Sequence, residues 1–111
     1  IAYWHTVTSD ANKWQHILQL YNQLIVIEYS PIMALNRTFA FAKVHGRKKA
    51  IVEAEKLKLT DNSHYHGLLG YLYSETNTRK AIAHYEQAIE LTHSKKERQI
   101  LADLKSRCTV R

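Results

Sequence analysis

A triplet recurs in this chain, and its spacing limits the fold more than any other feature. Lys49-Ala50-Ile51 returns as Lys80-Ala81-Ile82, 31 residues on, and the turn-forming residues Gly46 and Asn77 are separated by the same interval. Beyond each triplet the spacing continues, with Ala50, Ala54 and Leu57 answered by Ala81, Tyr85 and Ala88. Ile17, Tyr21 and Leu24 carry the same four-then-three step 33 residues earlier. Steps of three and four put side chains on one stripe of a helix. A period of about 31–33 residues is that of a helix hairpin, a unit that cannot bury its own apolar face and must stack on its neighbours. A small residue early in the second helix of each hairpin lets the two helices approach closely.

Punctuation agrees. Three Gly and one Pro in 111 residues leave little material for a turn-rich β architecture. Asp10 is the expected N-cap of a first helix carrying Trp14, Ile17, Leu18, Tyr21, Leu24 and Ile25. Ser30-Pro31 stops that helix and starts a second, with Ile32, Leu35, Phe39, Ala42 and Val44, which His45-Gly46 ends. A third holds Ala50, Ile51, Ala54 and Leu57. After a turn over 60–63 the fourth runs from about His64 to Glu75, with Asn77 in its C-terminal turn. The fifth covers about Arg79 to Leu91 and the sixth about Ser94 to Cys108, opened by a Ser94 and Glu97 capping box. The expectation is one all-α domain over residues 1–111: antiparallel hairpins stacked as a short repeat, a C-terminal capping helix, and residues 1–9 as the end of an earlier helix and a linker.

Composition narrows the function. No apolar run approaches the roughly 18 residues that span a bilayer, and Cys108 is the lone cysteine, which suits a reducing compartment. Formal charge is +6. Between Arg37 and Lys58, seven cations (Arg37, Lys43, Arg47, Lys48, Lys49, Lys56, Lys58) face two acids (Glu53, Glu55), a local +5 that nearly accounts for the whole excess. Arg47, Lys48 and Lys49 form the densest part. A solvated turn and a docking patch for an acidic surface or nucleic acid are both open readings. No aromatic interrupts this run, so direct DNA contact is not expected.

Catalytic and metal chemistry find no foothold. The seven histidines lack ligand spacing: His64 and His66 are two apart, on different helix faces. Glu53 and Glu55, and Glu86 and Glu90, read as exposed pairs, and no phosphate loop or nucleophile elbow occurs. The expectation is a non-enzymatic chain without cofactor or metal. Asn36-Arg37 stands out, because Asn is a poor mid-helix residue. Either the pair ties helices together inside the stack, or it lies in a partner-binding groove that Tyr65, His66 and Tyr73 also line.

Two segments carry resemblances. "HYHGLLGYLYSETNTRKAIAHYEQAIEL", residues 64–91, resembles a tetratricopeptide repeat, with Leu69, Gly70 and Tyr73 in the first helix and Ala81, Tyr85 and Ala88 in the second. "SPIMALNRTFAFAKVHGRKKAI", residues 30–51, resembles the C-terminal extension of one group of bacterial extracytoplasmic-function sigma factors, through Ser30-Pro31, Ala34-Leu35-Asn36-Arg37 and His45-Gly46. "WQHILQLYNQL" upstream, and Tyr65-His66 and "KERQIL" downstream, fit the same pattern. This resemblance implies a cytoplasmic regulatory module of a promoter-recognition subunit of RNA polymerase. It implies contacts with other domains of that subunit, with polymerase or with a regulatory protein, and not promoter reading by this piece. A free-standing tetratricopeptide-type adaptor is the alternative, and a nucleic-acid contact module the third.

Overall fold

The computed structural model describes residues 11–109, and the expected Asp10 cap and the reading of residues 1–9 lie outside them. Six helices follow one another: α1 Ala11–Ile27, α2 Pro31–His45, α3 Arg47–Leu57, α4 Ser63–Tyr73, α5 Thr78–Leu91 and α6 Lys95–Thr109. No strand occurs among the described residues. Each helix packs on the next, and α2 also reaches α4 across α3. That last contact is what makes the hairpins a stack, because α2 and α4 open successive hairpins.

Local chemistry explains the boundaries. Ser30 accepts a hydrogen bond from the Met33 N–H at 3.2 Å, and Pro31 takes the first helical position, where its missing N–H costs nothing. Gly46 sits at φ 95°, a conformation that side chains rarely tolerate, and so joins α2 to α3 without a linker. Asn62 caps α4 by accepting from the His64 and Tyr65 N–H groups. Two details differ from expectation. The fourth helix ends at Tyr73 rather than Glu75, and Asn77 serves the following helix, as N-cap of α5 accepting from the Lys80 N–H at 3.1 Å. The capping box of α6 is half formed. Ser94 accepts from the Glu97 N–H, but the Glu97 carboxylate accepts from the Thr92 hydroxyl at 2.8 Å instead of returning to Ser94.

The main core runs from Leu35 on α2 to Cys108 on α6. Ala50, Ala54, Ala81 and Ala88 are wholly buried, as the repeat requires, and Tyr85 joins them. A smaller cluster, Ile17, Leu18 and Ala40, seats α1 on α2. Two stripe residues fall outside: Leu24 and Ile32 are exposed. Among the described residues α1 packs on α2, and Ile32 lies in the exposed first turn of α2. Thr38, which the apolar stripe does not include, is also buried in α2. Its hydroxyl donates to the Ala34 carbonyl at 2.9 Å and can therefore be buried.

Ala81 marks the tightest crossing that the repeat predicts. Ala81→Leu is expected to destabilise by about 1–3 kcal/mol through overpacking. Urea midpoints measure this, and an unchanged midpoint would place the close approach elsewhere.

Candidate functional site

The five residues singled out as a groove do not share one surface. Asn36 and Arg37 sit at the joint of α1, α2 and α3. Asn36 hydrogen-bonds the Tyr21 side chain of α1, whose pKa burial raises and this bond partly lowers. The Arg37 Nε donates to Asn22 Oδ1 at 2.6 Å, and Nη1 lies 3.7 Å from Glu53 Oε1 on α3. Lys56 shares that carboxylate at 3.1 Å. The Arg37 guanidinium also lies 5.7 Å from the Phe41 ring. Partly exposed ion pairs contribute little individually. Their geometric effect is larger, because one guanidinium holds three helices in register.

Tyr65, His66 and Tyr73 lie instead between α3, α4 and α5, and all three are buried. Their cluster includes two residues that sequence reasoning missed, His84 and the partner role of Glu55. His66 Nε2 lies 2.8 Å from the Thr60 carbonyl, and His66 Nδ1 lies 3.0 Å from His84 Nδ1. A carbonyl only accepts, so a neutral His66 carries its proton on Nε2 and accepts at Nδ1 from the His84 Nδ1–H. The Tyr73 hydroxyl donates to Glu55 Oε2 at 2.8 Å, and its ring stacks parallel to His84 with centroids 5.8 Å apart. Burial, with Glu55 adding to it, pushes the Tyr73 hydroxyl up to about 12, so it remains a donor. His66 and Tyr73, seven apart, share a face of α4. Nothing local to His66 points to His84, 18 residues away on another helix.

The His84 pKa is lowered from its ordinary 6.5, first by burial and then by His66 and Lys80, with Glu55 opposing. The unfolded chain therefore binds this proton before the folded one does. Stability is retained at pH values above 6.5 and is lost as pH falls through the window between 6.5 and the lower folded value. The melting temperature is expected to drop on acidification through that window, and His84→Gln to make the drop shallower. An identical pH profile in the variant would remove His84 from this account.

The basic run divides in the structure. Arg47 is bound in place: Nη1 donates to Ser74 Oγ at 3.2 Å and to the Tyr71 carbonyl at 3.5 Å, lies 3.6 Å from Glu75 Oε1, and the guanidinium stands 4.2 Å from the Tyr71 ring. Lys48 and Lys49 are exposed in the first turn of α3. An aromatic does therefore accompany the basic run in space, although none does in sequence. Among the described residues, no group of three His, Cys, Asp or Glu side chains stands close enough to hold a metal ion. No helix among them is long and apolar enough to cross a membrane.

No family model matches the chain, and no solved structure matches it. It is 32% identical over 91 residues to an uncharacterized protein of Rhizobium meliloti (strain 1021), covering 79% of this chain and 22% of the relative. The chain thus spans about a fifth of the length of that curated relative.

Proposed function

We propose that this chain is a non-enzymatic, cytoplasmic regulatory and protein-interaction domain of an extracytoplasmic-function sigma factor, modulating transcription initiation through contacts with the rest of its own subunit, with RNA polymerase or with a regulatory protein. The observation that carries the reading is the structural work done by residues 30–51, the segment with the sharpest resemblance to such factors. Ser30 and Pro31 start α2, Ala34 and Leu35 enter the core, Arg37 ties three helices, and Gly46 makes the joint to α3. These residues of the resemblance help to build one hairpin joint, which supports a shared architecture over a chance string.

Asn36 and Arg37 act in this reading as the brace of the module. Stacked hairpins of this kind equally suit a free-standing adaptor, and the two readings separate on the coding sequence upstream of Ile1. The sigma-factor reading expects polymerase-binding and helix-turn-helix regions there. An upstream sequence without them would leave the adaptor as the better account. Duplex binding by this chain, with a steep salt dependence, would instead favour the nucleic-acid reading.

A further inference from the structure

Three aromatic rings from three helices form a continuous line on the partly exposed surface. Trp14 of α1 meets Phe39 of α2 edge to face with centroids 5.7 Å apart, and Phe39 meets Tyr71 of α4 at 5.5 Å. A cation stands over each ring. Lys13 Nζ lies 5.2 Å from the Trp14 centroid, Lys43 Nζ lies 5.8 Å from Trp14 and 5.3 Å from Phe39, and Arg47 lies 4.2 Å from Tyr71. Beyond Tyr71 the line runs into a recess of about 140 Å³ lined by Tyr71, Ser74, Tyr85, Leu104, Arg107 and Cys108. Arg107 is exposed at its edge. Glu75 meets this band and is already paired with Arg47. No carboxylate pairs with Lys43 among the described residues.

We infer that this band, from Lys43 across the rings to Arg107, is a docking surface for an acidic protein segment whose carboxylates alternate with apolar side chains. The ring edges and the recess supply apolar surface, and Lys43 and Arg107, both exposed, present N–H donors and positive charge outward. Carboxylates fit the cations, and one apolar or acidic side chain fits the recess beside Arg107. A single-stranded nucleic acid fits less well. It binds such surfaces by stacking bases on open ring faces, and here the rings already carry cations. The inference adds a partner class to the protein-interaction reading and rests on it only to that extent.

Fluorescence anisotropy with the purified chain tests it, using a labelled synthetic peptide of glutamates interspersed with leucines as the probe and an oligothymidine of equal charge as competitor. Lys43→Gln with Arg107→Gln is expected to weaken peptide binding by about fivefold or more. Lys95→Gln with Lys96→Gln removes the same charge at the opposite end of α6 and is expected to change it by less than about twofold. Arg107→Gln alone, at an exposed position, keeps the test valid if loss of Lys43 disturbs the rings. Absence of peptide binding, equal weakening by the two pairs, or oligothymidine binding as tight as the peptide would each overturn the inference. These results concern this chain alone, so they leave the sigma-factor reading to stand or fall on its own tests.

Discussion

Tyr85→Ala is expected to lower the unfolding free energy by about 3–5 kcal/mol, the range for removing a buried aromatic ring. That is a large part of the roughly 5–15 kcal/mol that holds a domain together. Tyr85 lies at the centre of the repeat: it is 2% exposed, and burial first, then Cys108, pushes its hydroxyl up to about 12. Its ring also lies where α4 comes closest. A Cβ added at Gly70 would stand 2.6 Å from Tyr85 Cε1, a distance that real side chains do not tolerate. Gly70→Ala is therefore expected to cost about 1–3 kcal/mol by itself, despite the better helix propensity of Ala. The two effects are coupled, because without the ring the new methyl has space. Gly70→Ala placed in the Tyr85→Ala background should be nearly neutral or stabilising. Urea unfolding of the four proteins gives the coupling directly. Strict additivity would mean that the ring and the glycine do not meet.

How much of this was legible in the sequence depends on how local the cause is. Ser30-Pro31 and Gly46 act within a few residues, and both were readable. The Ala50, Ala54, Ala81 and Ala88 stripe was readable too, because a helix repeats its geometry every three or four residues. Asn77 was misassigned because a polar turn residue between two helices can serve either one. Its side chain settles the matter by reaching forward to the Lys80 N–H. The burial of Thr38 was not readable, because residue type alone does not show that its hydroxyl is satisfied four residues back.

The site was less legible than the fold. His66 with His84, Tyr73 with Glu55, and Arg47 with Tyr71 are paired over 18, 18 and 24 positions. None of these distances repeats within one helix, so periodicity carries no trace of them. The same blindness hid the aromatic line. Trp14, Phe39 and Tyr71 are dispersed along the chain and come together only when α1, α2 and α4 stack. The burial of Tyr65, His66 and Tyr73 follows from their place between α3 and α5. They hold the stack, while Lys43, over the Trp14 and Phe39 rings, is exposed.

In the proposed reading this domain acts through contacts with other proteins. Transcription reconstituted from core polymerase, a target promoter and the parent protein, with and without residues 10–111, tests this most directly. The account predicts that removing the segment changes transcript yield by about threefold or more, the effect of a coupling near 1 kcal/mol or above. Affinity for core polymerase should persist, because in the proposed reading this module is not the polymerase anchor. Substituting Asn36 and Arg37 together should lower the melting temperature and reproduce part of the change in yield. Equal transcript yield with and without residues 10–111 would contradict the regulatory role and leave a helical appendage with no part in initiation.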